Sequence, residues 1–257
     1  MIKAIFLDID GTMVSFNTHR VPDNTKYALR EARARGVKIF VSTGRSGSDI
    51  NNLDDLEFDG YITVNGAYCM VGDNIVFKKS IAREDIEAFV RYVEEVEPIS
   101  CSFMEADKVS TNMICEQMTQ LVGLVKLAPR PVLPLREFID KEIFQMTAFF
   151  PVEQEEELMK HLPGCVATRW YPTFADIVAS GVDKSAGMEK IGEYFGIKAE
   201  EMMAIGDGGN DISMIKYAGA GVAMGNAGDD VKLVADFITT SVDDDGVGNA
   251  LRHYDVL

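Results

Sequence analysis

The chain has 257 residues, of which 47% are hydrophobic and 26% charged, the balance of a folded globular protein with room for one large or two smaller domains. Its formal net charge of −16 repels nucleic-acid backbones and anionic membranes, so neither is an expected partner. The four cysteines show neither CxxC nor zinc spacing and no apolar run reaches the ~18 residues of a membrane span, which excludes zinc-finger and membrane-spanning classes and leaves reduced thiols as the expectation.

The first strand-like run covers Lys3–Ile9 and includes Ile5-Phe6-Leu7-Asp8-Ile9-Asp10-Gly11-Thr12 around its end. It is too short and too early broken, at Asp8, to read as a signal peptide, and the expected compartment is the cytoplasm. A buried parallel strand does not ordinarily finish in carboxylates, because crowded, half-buried anions need a cation or hydrogen bonds. A magnesium site with one carboxylate free for chemistry explains the pair; a capping aspartate beside a solvated one is the plainer alternative. Gly11 permits a tight turn and close backbone approach to a ligand.

A helix is expected over Asn24–Arg35, stopped by Gly36, and a second strand over Val37–Val41, ending in Ser42-Thr43-Gly44-Arg45 before a helix pattern. Tyr61–Val64 reads as a core strand, and beyond Asn65-Gly66 a hairpin turns at Val71–Asn74 and returns over Ile75–Lys79. The character then changes. A helix at Glu84–Glu95 is followed by strands at Ser100–Met104 and Lys108–Thr111, a helix near Ile114–Leu121, and a Pro-rich stretch with a short helix. Strand Gln145–Phe150, helix Glu153–Leu162 and paired strands Cys165–Trp170 and Phe174–Ala179 complete the segment. Its order predicts an α+β unit inserted at residues 82–179 between two halves of a core, 1–81 and 180–257. After it come a helix at Ser185–Phe195, a strand at Met202–Ile205 ending in Gly206-Asp207-Gly208-Gly209-Asn210-Asp211, and a strand at Gly221–Met224 ending in Gly225-Asn226.

Strands alternating with helices predict an α/β core with a parallel sheet covered on both faces. Ligands bind such sheets beyond the carboxyl ends of the strands, where the polar residues of all four core runs lie. Other features read plainly. The glycines at 219, 221 and 225 lack the spacing of a dinucleotide fingerprint, Asp243–Asp245 is a solvated loop, and Trp170 and Phe174 are core or hinge packing.

Together with Asn65-Gly66-Ala67, Asp183-Lys184, Gly221–Ala227 and Asp245-Gly246-Val247, these motifs resemble, in order and spacing over the full length, the haloacid-dehalogenase superfamily of phosphatases. The likeness is to the Cof-type sugar-phosphate phosphatases with a C2B-type inserted α/β cap, which implies a Rossmann-like core. In that resemblance Asp8 is the nucleophile that forms an aspartyl-phosphate, and Asp10 is the general acid and base. Mg²⁺ is held by Asp8, the Asp10 main-chain carbonyl and Asp207, with Asp211 joining through water or as a supporting acceptor. Thr43, the Gly44 N–H, Lys184 and Asn210 bind the phosphoryl group, and Arg45 contacts phosphate or leaving group.

Read alone, several of these residues keep a second meaning. Thr43 could cap a helix, Lys184 beside Ser185 reads as a solvated helix-start lysine, Asp211 complements a helix dipole, and Arg45 equally suits pairing with surface acids. The implied function is magnesium-dependent hydrolysis of a small phosphorylated metabolite, hexose or pentose phosphates being the natural candidates, by a monomer or small homo-oligomer. A phosphotransferase or phosphomutase on the same scaffold, and a phospho-acceptor signalling module, are the alternatives. The insert is expected to act as a lid, hinged near Lys79–Arg83 and Ser180–Asp183 with Gly181 absorbing the change.

Overall fold

A computed structural model describes residues 1–257, and it contains two sheets. The first half of the larger one is β1 (Ala4–Leu7), α1 (Asp23–Ala34), β2 (Lys38–Ser42), β3 (Gly60–Thr63), β4 (Tyr68–Val71) and β5 (Asn74–Lys78). The smaller sheet follows as α2 (Arg83–Glu95), β6 (Ser100–Met104), β7 (Val109–Thr111), α3 (Glu116–Leu124), β8 (Gln145–Phe149), α4 (Glu155–Lys160), β9 (Cys165–Thr168) and β10 (Ala175–Ala179). The chain then returns through α5 (Lys184–Phe195), β11 (Met202–Gly206), α6 (Ile212–Tyr217), β12 (Ala220–Ala223), α7 (Asp229–Lys232), β13 (Phe237–Ile238) and α8 (Gly246–His253).

The larger sheet runs β13-β12-β11-β1-β2-β3-β4-β5, parallel except for the β4–β5 hairpin at one edge. β1 is apolar throughout because both its faces are covered. Ile5 and Leu7 pack with α1 and α8, through Leu29, Ala32, Val247 and Leu251. Ala4 and Phe6 pack on the other side with Met188 and Ile191 of α5 and Met214 of α6. Phe6 stacks on Phe40 at 4.7 Å between centroids, and burying each such ring contributes about 1.5–3 kcal/mol. Chain order leaves β1 in both directions, to β2 and to β11, so the crevice beyond its carboxyl end is the topological switch point.

The smaller sheet is antiparallel, in the order β7-β6-β8-β10-β9. Its alternation assigns two unlike faces. Cys101, Phe103, Met146, Ala148 and Ile177 meet Ile86, Phe89, Val90 and Val93 of α2. The intervening residues, among them Ser102, Gln145, Thr147 and Asp176, lie on the opposite face and are buried all the same. Where the chain crosses between the sheets the two passages touch, Lys79 Nζ donating to the Ser180 carbonyl at 2.7 Å.

Three expectations need correction. The first strand stops at Leu7 rather than Ile9, because the Ile9 carbonyl turns to accept from the Met13 and Val14 amides. No α-helix follows Arg45; Gly47–Asp49 is one 3-10 turn, in a run whose serines and glycine favour helix poorly. The expected helix at Glu153–Leu162 splits into a 3-10 turn at Val152–Gln154 and the short α4. No helix is long and apolar enough to cross a membrane.

Candidate active site

Asp8 follows directly on β1, its N–H donating to the Ile205 carbonyl of β11 at 3.1 Å, so the carboxylate stands at the sheet's carboxyl edge. Lys184 opens α5, whose start is fixed by Asp183, accepting from the Ala186 N–H at 2.8 Å. The lysine is wholly buried, which overturns its reading as a solvated residue. Its Nζ donates to Asp8 Oδ1 at 2.7 Å and to Asp211 Oδ1 at 2.5 Å. A buried ammonium is tolerable only when paired in this way. Gly66 makes the approach possible: with φ at 97°, a Cβ there would lie 2.0 Å from the Asp183 carbonyl oxygen.

The second oxygen of Asp211 accepts from the Asp207 and Gly208 amides, both at 2.9 Å, so this carboxylate shapes the loop that presents Asp207. Asp207 accepts from Thr12 Oγ at 2.8 Å. Gly11 has φ of 87°, and a Cβ on it would sit 2.2 Å from Asp207 Oδ2. Carboxylate oxygens of Asp8, Asp207 and Asp211 all lie within 4.8 Å of one another. Burial pushes the Asp8 carboxyl up to about 7, with Lys184 pulling the other way and Asp211 and Asp10 adding to the rise. Burial, then the charges of Asp8 and Asp211, push Asp207 well above the carboxylate range. Three acids share one ammonium, so the cluster lacks positive charge. An all-oxygen donor set of this kind fits a hard divalent cation such as Mg²⁺.

Asp10 lies in the turn beyond the strand. Both its oxygens are taken by Arg45, from Nε at 2.7 Å and Nη2 at 2.6 Å. Arg45 is buried and donates further to the Asp49 and Val125 carbonyls, so it pairs with a site carboxylate and not with surface acids. Thr43 Oγ accepts from the Arg45 N–H at 3.1 Å and retains its own proton to donate. The Gly44 N–H has no partner within the protein, but with no helix behind it, it lacks the helix-terminal field expected there. Asn210 donates to Asn65 Oδ1 at 2.9 Å.

Asn65 is the residue that sequence reasoning passed over as a turn. Val64 and Asn65 both adopt left-handed φ, 45° and 53°, and for a β-branched valine that is a strained conformation of the kind found at functional sites. The Asn65 amide donates to Gln145 at 3.0 Å and Asp176 at 3.1 Å on the smaller sheet, joining both sheets at the site. Thr147 donates to Asp176 at 2.6 Å. Gln145 and Thr147 alternate with apolar residues along β8, a period-2 signal that could have marked this face. Trp170 and Phe174 were expected in core or hinge packing. Phe174 does pack on Phe149, yet both also wall the cavity over Asp8. That cavity, about 510 Å³, has Asp8, Asp10, Thr43, Arg45 and Asp207 as its floor and Leu121, Leu124, Val125, Trp170 and Asp176 as its roof.

The chain has known relatives over nearly its full length. A model of a family described as haloacid dehalogenase-like hydrolase matches residues 5–251. The putative phosphatase YkrA of Bacillus subtilis is 30% identical over 99% of this chain and 98% of its own length. The 5-amino-6-(5-phospho-D-ribitylamino)uracil phosphatase YcsE of the same organism is 32% identical over 98% of this chain and 96% of its own. Among solved structures, the subclass IIB sugar phosphatase BT4131 superposes with a TM-score of 0.95 at 43% identity, covering 99% of this chain and 100% of that one. BT1666 from Bacteroides thetaiotaomicron gives 0.92 at 39% identity, covering 100% and 96%.

Proposed function

The chain belongs to the haloacid dehalogenase-like hydrolases, and from that premise we propose that it is a magnesium-dependent phosphatase of small phosphorylated metabolites, sugar phosphates above all. The observation that carries the reading is the buried Lys184 bonded to Asp8, at the floor of a cavity large enough for a monosaccharide phosphate. Residues 82–179 act as the cap and residues 1–81 and 180–257 as the catalytic core. With a net charge of −16 favouring neither nucleic acid nor membrane, we place the activity in the cytoplasm, in a monomer or small homo-oligomer.

Asp8 attacks phosphorus through the oxygen that Lys184 does not hold, and the ester oxygen leaves as the aspartyl-phosphate forms. Lys184 offsets the repulsion between carboxylate and phosphate dianion. Thr43 and the free Gly44 N–H offer donors to the phosphoryl oxygens, and Asn210 adds an amide beside them. Asp10 gives a proton to the departing alkoxide and later takes one from the water that cleaves the acyl phosphate. Asp8, Asp207 and the Asp10 carbonyl, which accepts no hydrogen bond within the protein, are the groups that would hold Mg²⁺, with Asp211 behind them. The ion supplies charge neutralisation for the transferring group. Apolar walls at Leu121, Leu124 and Trp170 with the polar patch of Gln145, Thr147 and Asp176 receive the leaving group and exclude water.

The test is phosphate release from a panel of hexose, pentose and other phosphorylated metabolites, with Asp8→Asn as control. Release that needs Asp8 and magnesium is expected; isomerised sugar without free phosphate, or a long-lived phosphoenzyme without turnover, would overturn the reading.

A further inference from the structure

We propose that Arg45 is the positioning residue of Asp10, and that a buried Arg130–Asp49 ion pair is the latch through which cap closure sets it. The proposal rests on the phosphatase reading for its kinetic consequences. Arg130 donates to Asp49 through both nitrogens, Nη1 to Oδ1 at 2.7 Å and Nη2 to Oδ2 at 2.5 Å. The side chains retain only 9% and 5% of their exposure. By contrast the Arg136–Glu94 pair within the cap keeps 75% and 31% and constrains little. A forked pair closed off from water holds one geometry and tolerates no missing partner.

Asp49 belongs to the loop after β2 and Arg130 to the chain after α3, so the pair crosses from core to cap. The same two segments hold Arg45. Its Nη1 donates to the Asp49 carbonyl at 2.9 Å, and its Nη2 reaches the Val125 carbonyl at 3.0 Å, five residues before Arg130. Four of the five guanidinium N–H groups are then committed: two to Asp10, one to the core and one to the cap. A carboxylate with both oxygens on one planar guanidinium has its orientation fixed by that plane. Asp10 and Asp49 hold Arg45 from the core, and the cap completes the cradle through the Val125 carbonyl and through Arg130 on Asp49. Lifting the cap breaks the Arg130 pair and the Val125 bond together, so Arg45 keeps only its core partners and the plane that aligns Asp10 is held less tightly. Proton transfer through Asp10 is thereby most effective in the closed state.

Trp170 supplies an optical reporter. It is the chain's single tryptophan, and it sits on the cap with its Cβ 3.3 Å from where a Cβ on Gly208 would stand. The experiment compares wild type with Arg130→Gln in Trp170 emission, and in kcat/KM, which reports the steps up to loss of the leaving group, for glucose 6-phosphate and p-nitrophenyl phosphate, whose leaving group departs without a proton. We expect a red-shifted emission, a loss of about tenfold or more in kcat/KM with the sugar ester, and less than about twofold with the aryl ester. An unmoved emission overturns the latch whatever the activity. A shifted emission with equal losses on both esters overturns the coupling to Asp10. Should Arg130→Gln lose its far-ultraviolet circular dichroism, Arg130→Lys, which keeps the charge but not the fork, is read in the same way. Wild type inactive on both esters would count against the phosphatase reading alone, since the emission test needs no turnover.

Discussion

The floor and the roof of the cavity are built on opposite principles. The floor gathers Asp8, Asp207 and Asp211 around one buried lysine, and its groups act by charge. The roof has a single carboxylate, Asp176, held by neutral donors from Thr147 and Asn65 among apolar walls, and acts by shape and hydrogen bonding. Charge serves the one feature common to all phosphate esters, whereas shape serves the part that differs between them. A generic reaction and a selective entrance can thus reside on separate sheets.

That division can be broken at several points. Asp8→Asn should abolish turnover, a loss on the order of a thousandfold or more at saturating substrate, with circular dichroism unchanged. Asp10→Asn should lower kcat/KM, which reports the steps up to leaving-group departure, by roughly 10²–10⁴ for sugar phosphates and far less for p-nitrophenyl phosphate; equal losses in kcat/KM would contradict its role as general acid. Gly11→Ala, which drives a Cβ into Asp207, should raise the magnesium requirement by about 10–100-fold in a titration after EDTA treatment. On the roof, Leu124→Ala should alter the kcat/KM ratios among hexose and pentose phosphates by roughly three- to tenfold and leave the magnesium titration in place. A change in both would mean that floor and roof are not separate.

The smallest effect concerns stability. Burial, countered by the Thr147 and Asn65 hydrogen bonds, pushes Asp176 up to about 6 from its ordinary 3.8. The folded state then holds this proton more tightly than the unfolded chain. Its contribution is therefore favourable at low pH and is lost as pH rises through about 6. Between pH 8 and pH 5 the wild type should gain about 1 kcal/mol of unfolding free energy relative to Asp176→Asn, measured by urea titration at the two values. A constant difference would place the ionised carboxylate in contact with solvent.

Much of the floor was legible in the chain. Uniformly apolar runs ending in acids and glycines give parallel strands and the edge where their ligands bind, and the DxDGT and GDGGND segments name Asp8, Asp10, Asp207 and Asp211. These are local patterns, written within a few residues of one another. Lys184 was legible only by likeness to a family, because a lysine beginning a helix is ordinarily solvated. Its burial comes from β1 and the loop after β11, 176 residues before it and 27 after it.

The sequence by itself determined the parallel core and the acids gathered at its carboxyl edge, since apolar periodicity and turn chemistry act over single elements. Only the tertiary structure decided what Arg45, Asn65, Asp176 and Arg130 do. Each is defined by a partner 35 to 111 residues away. Hydrogen bonds between such distant groups depend on how two sheets dock, and docking leaves no local period to read.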